Sequence, residues 1–272
     1  MYSKTIIFKL LLASSLASAS AVQAQTESLT ADHPNIVLIL ADDLGFTDIS
    51  PFGSEISTPN IASLARAGVS FTNYHTAGSC APARAMLLTG VDSHRNGVPN
   101  IPEALPAEQL GFDNYLGVLS DKVVTLATLL NDEGYHTYMT GKWHVRASAE
   151  KCFDITRNVR GGMPNQTPAG YNRPLPGKPD PWSPYDPKFE GFWKGGKHWS
   201  EVVADDAAFF LNEAKKHVEK NPFFAYIAFN APHDPRQAPK EFIDMYPLSR
   251  VKIPSNFLAS YPYRNEIRCP HS

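Results

Sequence analysis

An unbroken stretch of β-branched and aliphatic side chains, Ile36-Val37-Leu38-Ile39-Leu40, enters at Asn35 and stops at Ala41-Asp42-Asp43. A run with no polar alternation predicts a strand in a sheet covered on both faces. Such sheets need helical crossovers, and the chain supplies them. Thr58-Pro59-Asn60 opens a helix through Leu64 to Ala67, stopped by Gly68, and Val69 to Tyr74 reads as a second strand. The pattern then repeats. Val123 to Leu130 has helical spacing and closes near Gly134, and Tyr135 to Thr140 reads as a strand running into Gly141-Lys142-Trp143-His144. An amphipathic helix from about Ser200 to Val218 is followed by the apolar strand Phe223 to Phe229 and the loop Asn230-Ala231-Pro232-His233. This alternation predicts an α/β fold, a mostly parallel sheet flanked by helices. Ligands of such sheets gather at the carboxyl ends of the strands. Asp42, Asp43, Lys142, His144 and His233 all stand just after expected strands.

A formal charge of -2, with 19% charged and 43% hydrophobic residues over 272, describes an ordinary globular chain. It offers no basic face for nucleic acid or an anionic membrane. Residues 1–24 read as a secretory signal peptide. Lys4 and Lys9 precede an apolar, small-residue run from Leu10 to Ala21, and Val22-Gln23-Ala24 forms the cut. The run is shorter than the ~20 residues a span needs, so the expectation is export to a periplasm or the exterior without stable membrane association. In an oxidising compartment the three cysteines, Cys80, Cys152 and Cys269, look like one disulfide plus a leftover thiol. Gly161 to Gly196, rich in Pro, Gly and aromatics, reads as a surface excursion or as an aromatic-lined substrate loop.

Two stretches carry the chemistry. The first is Gly78-Ser79-Cys80-Ala81-Pro82-Ala83-Arg84-Ala85-Met86-Leu87-Leu88-Thr89-Gly90, built around Cys-x-Pro-x-Arg. Cys80 precedes an expected helix, so backbone N–H groups and the positive helix end face an anion approaching it. Arg84, one turn on, can return to the same end and support the nucleophile or the anion. The second stretch is Gly134-Tyr135-His136-Thr137-Tyr138-Met139-Thr140-Gly141-Lys142-Trp143-His144. Taken alone, each residue has a plainer reading: Asp42 and Asp43 as helix caps or turn residues, Cys80 as a small buried hydrophobe, the lysine and histidines as solvated loop residues.

Together these stretches resemble the two signatures of the type I, formylglycine-dependent sulfatases of the alkaline-phosphatase-like superfamily. The opening segment from Pro34 to Asp43 and Ala231-Pro232-His233 extend the likeness along most of the chain. Thr140 departs from the second signature, which usually has a small or aliphatic residue there. The resemblance implies that Cys80 is oxidised to formylglycine by a maturation enzyme. It implies that the aldehyde hydrate binds Ca²⁺, or Mg²⁺, beside Asp42 and Asp43, and that one hydroxyl attacks the sulfur of a small-molecule or glycan sulfate ester. Lys142 would bind sulfate and the aldehyde-derived side chain. His144 would take a proton as sulfate is eliminated, and His233 would bind sulfate and protonate the leaving oxygen.

In that family the metal site is completed by a later Asp and Asn, commonly in Asp-Asn-Gly, and a further lysine binds sulfate. No Asp-Asn-Gly follows His233 here. Residues 25–272 are therefore expected to be the N-terminal portion of a catalytic domain, its sheet incomplete at the C-terminal side. Two alternatives stay open: a phosphate or phosphonate ester hydrolase of the same superfamily, and an inactive remnant. Trp182, Trp193 and Trp199 can stack on sugar rings or pack their loops.

Overall fold

A computed structural model of the protein describes residues 33–161, 198–217, 221–233, 238, 240–258 and 260. The expected signal peptide, nearly all of the Gly161–Gly196 stretch and Cys269 lie outside the described residues. In chain order the main elements are strand β1 (Ile36–Asp42), helices α1 (Pro59–Ala67), α2 (Cys80–Thr89) and α3 (Leu126–Asp132), strands β2 (His136–Lys142) and β3 (Ile155–Arg160), helix α4 (Trp199–Ala214) and strand β4 (Phe223–Pro232). The sheet order is β1-β4-β2-β3 and every neighbouring pair is parallel. This is the α/β arrangement the alternation predicts.

Two apolar layers hold it. On one face, Phe224, Tyr226 and Ala228 of β4 and Met139 of β2 pack with Ala81, Ala85 and Leu88 of α2. On the other, Tyr138, Ala225 and Ile227 meet Trp199, Val202, Val203 and Phe210 of α4. β1 differs from the expectation. Ile36, Leu38 and Leu40 pack inward, whereas Val37 and Ile39 are exposed. They share the face of Ala225 and Ile227, but α4 packs over β4, β2 and β3, so among the described residues the aliphatic run is buried on one side.

Three further differences have local causes. The segment Val69–Tyr74 forms no strand, and Val69, Phe71 and Tyr74 are exposed. Alternation makes a strand only where a neighbour takes its backbone hydrogen bonds, and no described strand does so. Helix α3 begins three residues late because Thr125 caps it, its side chain accepting from the Thr128 N–H. The expected disulfide is not formed by the described cysteines: Cys80 and Cys152 are both free thiols, and Cys152 Sγ lies 3.8 Å from the Ser148 carbonyl.

The strands lose register at one level. On β1 the pairing jumps from Leu40–Ala228 to Asp42–Pro232. On β2 it jumps from Thr140–Arg157 to Lys142–Arg160. The second jump adds one residue on β3, where Asn158 sits at φ +47°. Gly141, at φ +92°, stays in register with β4 and so close to it that an added Cβ would lie 1.8 Å from the Ala228 oxygen.

Candidate active site

The carboxyl ends of β1, β2 and β4 and the N-terminus of α2 meet in one place. β1 ends on Asp42, which is 3% exposed, and Asp43, whose φ of +59° turns its carboxylate outward to 53% exposure. α2 begins on Cys80. Its N-cap, Ser79, makes no side-chain capping bond and donates instead to Asn100 Oδ1 at 3.2 Å. A helix start without a side-chain cap suits an anion.

Arg84 lies one turn into α2, only 2% exposed. Its Nη1 donates to the Lys142 carbonyl at 2.9 Å and to the Tyr226 hydroxyl at 3.2 Å, and its Nη2 to Asp42 Oδ1 at 3.0 Å. Lys142, 1% exposed, donates from Nζ to Asp42 Oδ2 at 2.5 Å. Two buried cations thus share one buried carboxylate. The buried set is net positive beside the positive end of α2, and both features favour an anionic ligand. Arg84 Nε is buried without a hydrogen-bond partner among the described residues. A cavity of about 260 Å³ opens here, lined by Asp42, Asp43, Cys80 and Arg84.

His144 comes two residues after Lys142, at φ +60°, and its Nδ1 lies 3.2 Å from Cys80 Sγ. Burial, and then the charge of Lys142, hold its pKa down at about 4 from the usual 6.5, with Glu103 opposing them. His144 is therefore neutral near pH 7 and able to accept a proton. The same depression predicts a pH dependence of folding. Between about 6.5 and about 4 the unfolded chain binds a proton at His144 that the folded chain does not. Stability should fall as pH drops through that window. His144→Gln should flatten this part of a denaturant-midpoint profile; an unchanged profile would show that His144 titrates normally.

His233 follows the end of β4 and places Nε2 3.6 Å from Asp43 Oδ2. Asp42, Asp43, Cys80, Arg84, Lys142, His144 and His233 thus come together here, Cys80 and His144 from 64 positions apart. Tyr226 was not foreseen. Its only signal is a hydroxyl-bearing side chain within an apolar strand.

For a divalent cation, Asp42 and Asp43 offer the oxygen donors that Ca²⁺ and Mg²⁺ prefer, and they fit as part of a ligand set. The Cys80 sulfur does not. Among the described residues no group of three or more His, Cys, Asp or Glu side chains gathers as a metal cage.

Residues 34–262 match the family model described as Sulfatase. The chain belongs to the sulfatase family. An uncharacterized sulfatase of Schizosaccharomyces pombe is 37% identical over 229 residues, covering 78% of this chain and 40% of the relative. An arylsulfatase of Klebsiella aerogenes is 34% identical over 230 residues, covering 79% and 46%. The chain thus spans under half the length of these two sulfatases. Among solved structures, Ps i-CgsB in complex with k-i-k-neocarrahexaose is 29% identical, with a TM-score of 0.61 over 79% of this chain and 49% of that one. The α/β architecture is accordingly that of a sulfatase, and the cluster at its strand ends lies within the matched region.

Proposed function

We propose that this sulfatase hydrolyses organic sulfate esters, with a sulfated carbohydrate as substrate class, using residue 80 in its formylglycine form and Ca²⁺ or Mg²⁺ held by Asp42 and Asp43. The observation that carries the reading is the meeting of Cys80 and His144 at 3.2 Å, beside the buried Arg84–Asp42–Lys142 set. The carbohydrate class draws support from Ps i-CgsB, solved with a hexaose. We further propose export through residues 1–24, and action on the ester outside the cytoplasm.

Hydrated formylglycine supplies an oxygen nucleophile, and a bound cation supplies Lewis acidity and charge neutralisation. The side chains of this chain do the rest. The start of α2 and the cationic pair Arg84 and Lys142 bind and orient the sulfate, stabilising charge as it builds on the sulfonate oxygens. Neutral His144 accepts a proton next to residue 80. His233, turned toward Asp43, is placed to donate one to the departing alcohol.

Two measurements test this. After co-expression with a formylglycine-generating enzyme, the peptide containing residue 80 should be lighter by the difference between a –CH₂SH and a –CHO side chain. The matured protein should then cleave an aryl sulfate faster than the matched aryl phosphate. Faster phosphate cleavage would assign it to the phosphoesterases, and an unmodified Cys80 would remove the mechanism.

A further inference from the structure

Thr140, the residue that departs from the signature, does not pack as an aliphatic side chain would. It is fully buried and donates from Oγ1 to Asp206 Oδ2 at 2.9 Å. Asp206 lies on the apolar stripe of α4, between Val202 and Phe210 in helical spacing, and is 3% exposed. A lone carboxylate there would be costly. It is instead saturated: Arg157 Nε donates to Oδ1 at 2.8 Å and Asn158 Nδ2 to Oδ2 at 2.7 Å. Consecutive strand residues ordinarily face opposite sides. Arg157 and Asn158 reach one carboxylate because Asn158 adopts φ +47°.

Asp206 therefore joins α4 to β2 and β3 where the β2–β3 register shifts, between Thr140 and Lys142. Lys142 and His144 follow at once. A second tie lies on the same face of α4, two turns earlier and about 10 Å along the axis. There Trp199 Nε1 donates to Asn230 Oδ1 at 2.9 Å, three residues before His233. The two ties fix the carboxyl ends of β2 and β4 to one rigid helix.

We propose that Asp206, acting through Thr140, is a positioning residue of this sulfatase. It holds the end of β2 so that Lys142 reaches Asp42 and His144 reaches residue 80. Among the described residues, Asp206 bonds Thr140, Arg157 and Asn158 rather than the site side chains. The inference rests on the reading of Lys142 and His144 as site residues.

The test uses the full chain with unmodified Cys80, so it needs neither maturation nor turnover and its failure is separable from failure of the sulfatase reading. Alkylation of Cys80 by iodoacetamide is followed by mass spectrometry, with half-buried Cys152 as the internal control for folding. His144 assists the Cys80 thiol only while held beside it. Thr140→Val, which keeps shape and loses the hydroxyl, should slow Cys80 alkylation by about threefold or more with Cys152 unchanged. Thr140→Ser, which keeps the hydroxyl, should restore the wild-type rate. Asp206→Asn is the second arm and should behave as Thr140→Val does. If whichever of these two variants retains the Cys152 control rate also retains the wild-type Cys80 rate, Asp206 serves stability alone and the proposal fails. Equal slowing in Thr140→Ser would overturn it as well.

Discussion

Cys80→Ala in the matured protein is expected to abolish sulfate ester turnover, a loss of about 10⁴-fold or more, because it removes the nucleophile proposed above. The substitution should leave the fold intact. Cys80 is the first residue of α2, where alanine is tolerated, and its Sγ has His144 as its hydrogen-bond contact. Binding of a sulfate ester should also survive, since Arg84, Lys142 and the start of α2 remain. Calorimetry should therefore detect ligand binding without product formation. Residual turnover within about tenfold of wild type would mean that water attacks directly and that residue 80 is no nucleophile.

The second large effect is on stability. Asp42→Ala leaves Arg84 and Lys142, 2% and 1% exposed, facing each other with no carboxylate between them. Breaking a buried ion set from one side costs about 3–5 kcal/mol, against a total stability of about 5–15 kcal/mol for a domain. Urea unfolding should show the midpoint falling accordingly, or the variant should be recovered unfolded. The triple replacement Asp42→Leu, Arg84→Met, Lys142→Met removes every charge at once. It should regain much of that stability while remaining unable to bind a sulfate ester. A midpoint for Asp42→Ala within about 1 kcal/mol of wild type would show that the two cations reach water, contrary to their burial.

These results bear on how far the fold and site can be read from the sequence. β1, β2 and β4 were legible because each is an apolar run punctuated by polar residues at its carboxyl end. β3, Ile-Thr-Arg-Asn-Val-Arg, was not. Among the described strands it pairs with β2 alone, and two of its polar residues, Arg157 and Asn158, are held by a carboxylate on another element. Val69 to Tyr74 shows the opposite error. Its alternation was real, but a strand also needs a neighbour, and no local pattern reports one. In the site, Asp42, Cys80, Arg84, Lys142 and His144 were legible through motifs, and the meeting of the two signatures follows from the parallel topology. Asp206 and Asn230 were invisible in that sense, since each acquires its role from a partner at least 31 positions away; Trp199, read as stacking on a sugar or packing its loop, is buried and packs in the core. An acidic residue on the apolar stripe of α4 is the sequence mark that Asp206 leaves.

The loss of register at the strand ends has a wider consequence. In a regular strand a residue's face is dictated by its parity, so any change in the working end would have to respect the alternation that builds the interior. At the strand ends that regular ladder stops: the β2–β3 pairing takes in one extra residue of β3 between Arg157 and Arg160, and the β1–β4 pairing takes in two extra residues of β4 between Ala228 and Pro232. The chemical end of the sheet and its folding interior are thereby uncoupled as sequence problems. Substitutions that retune the candidate site can accumulate beyond these bulges without disturbing the two apolar layers below them. Those layers, in turn, can drift in composition without changing which side chains face the cavity.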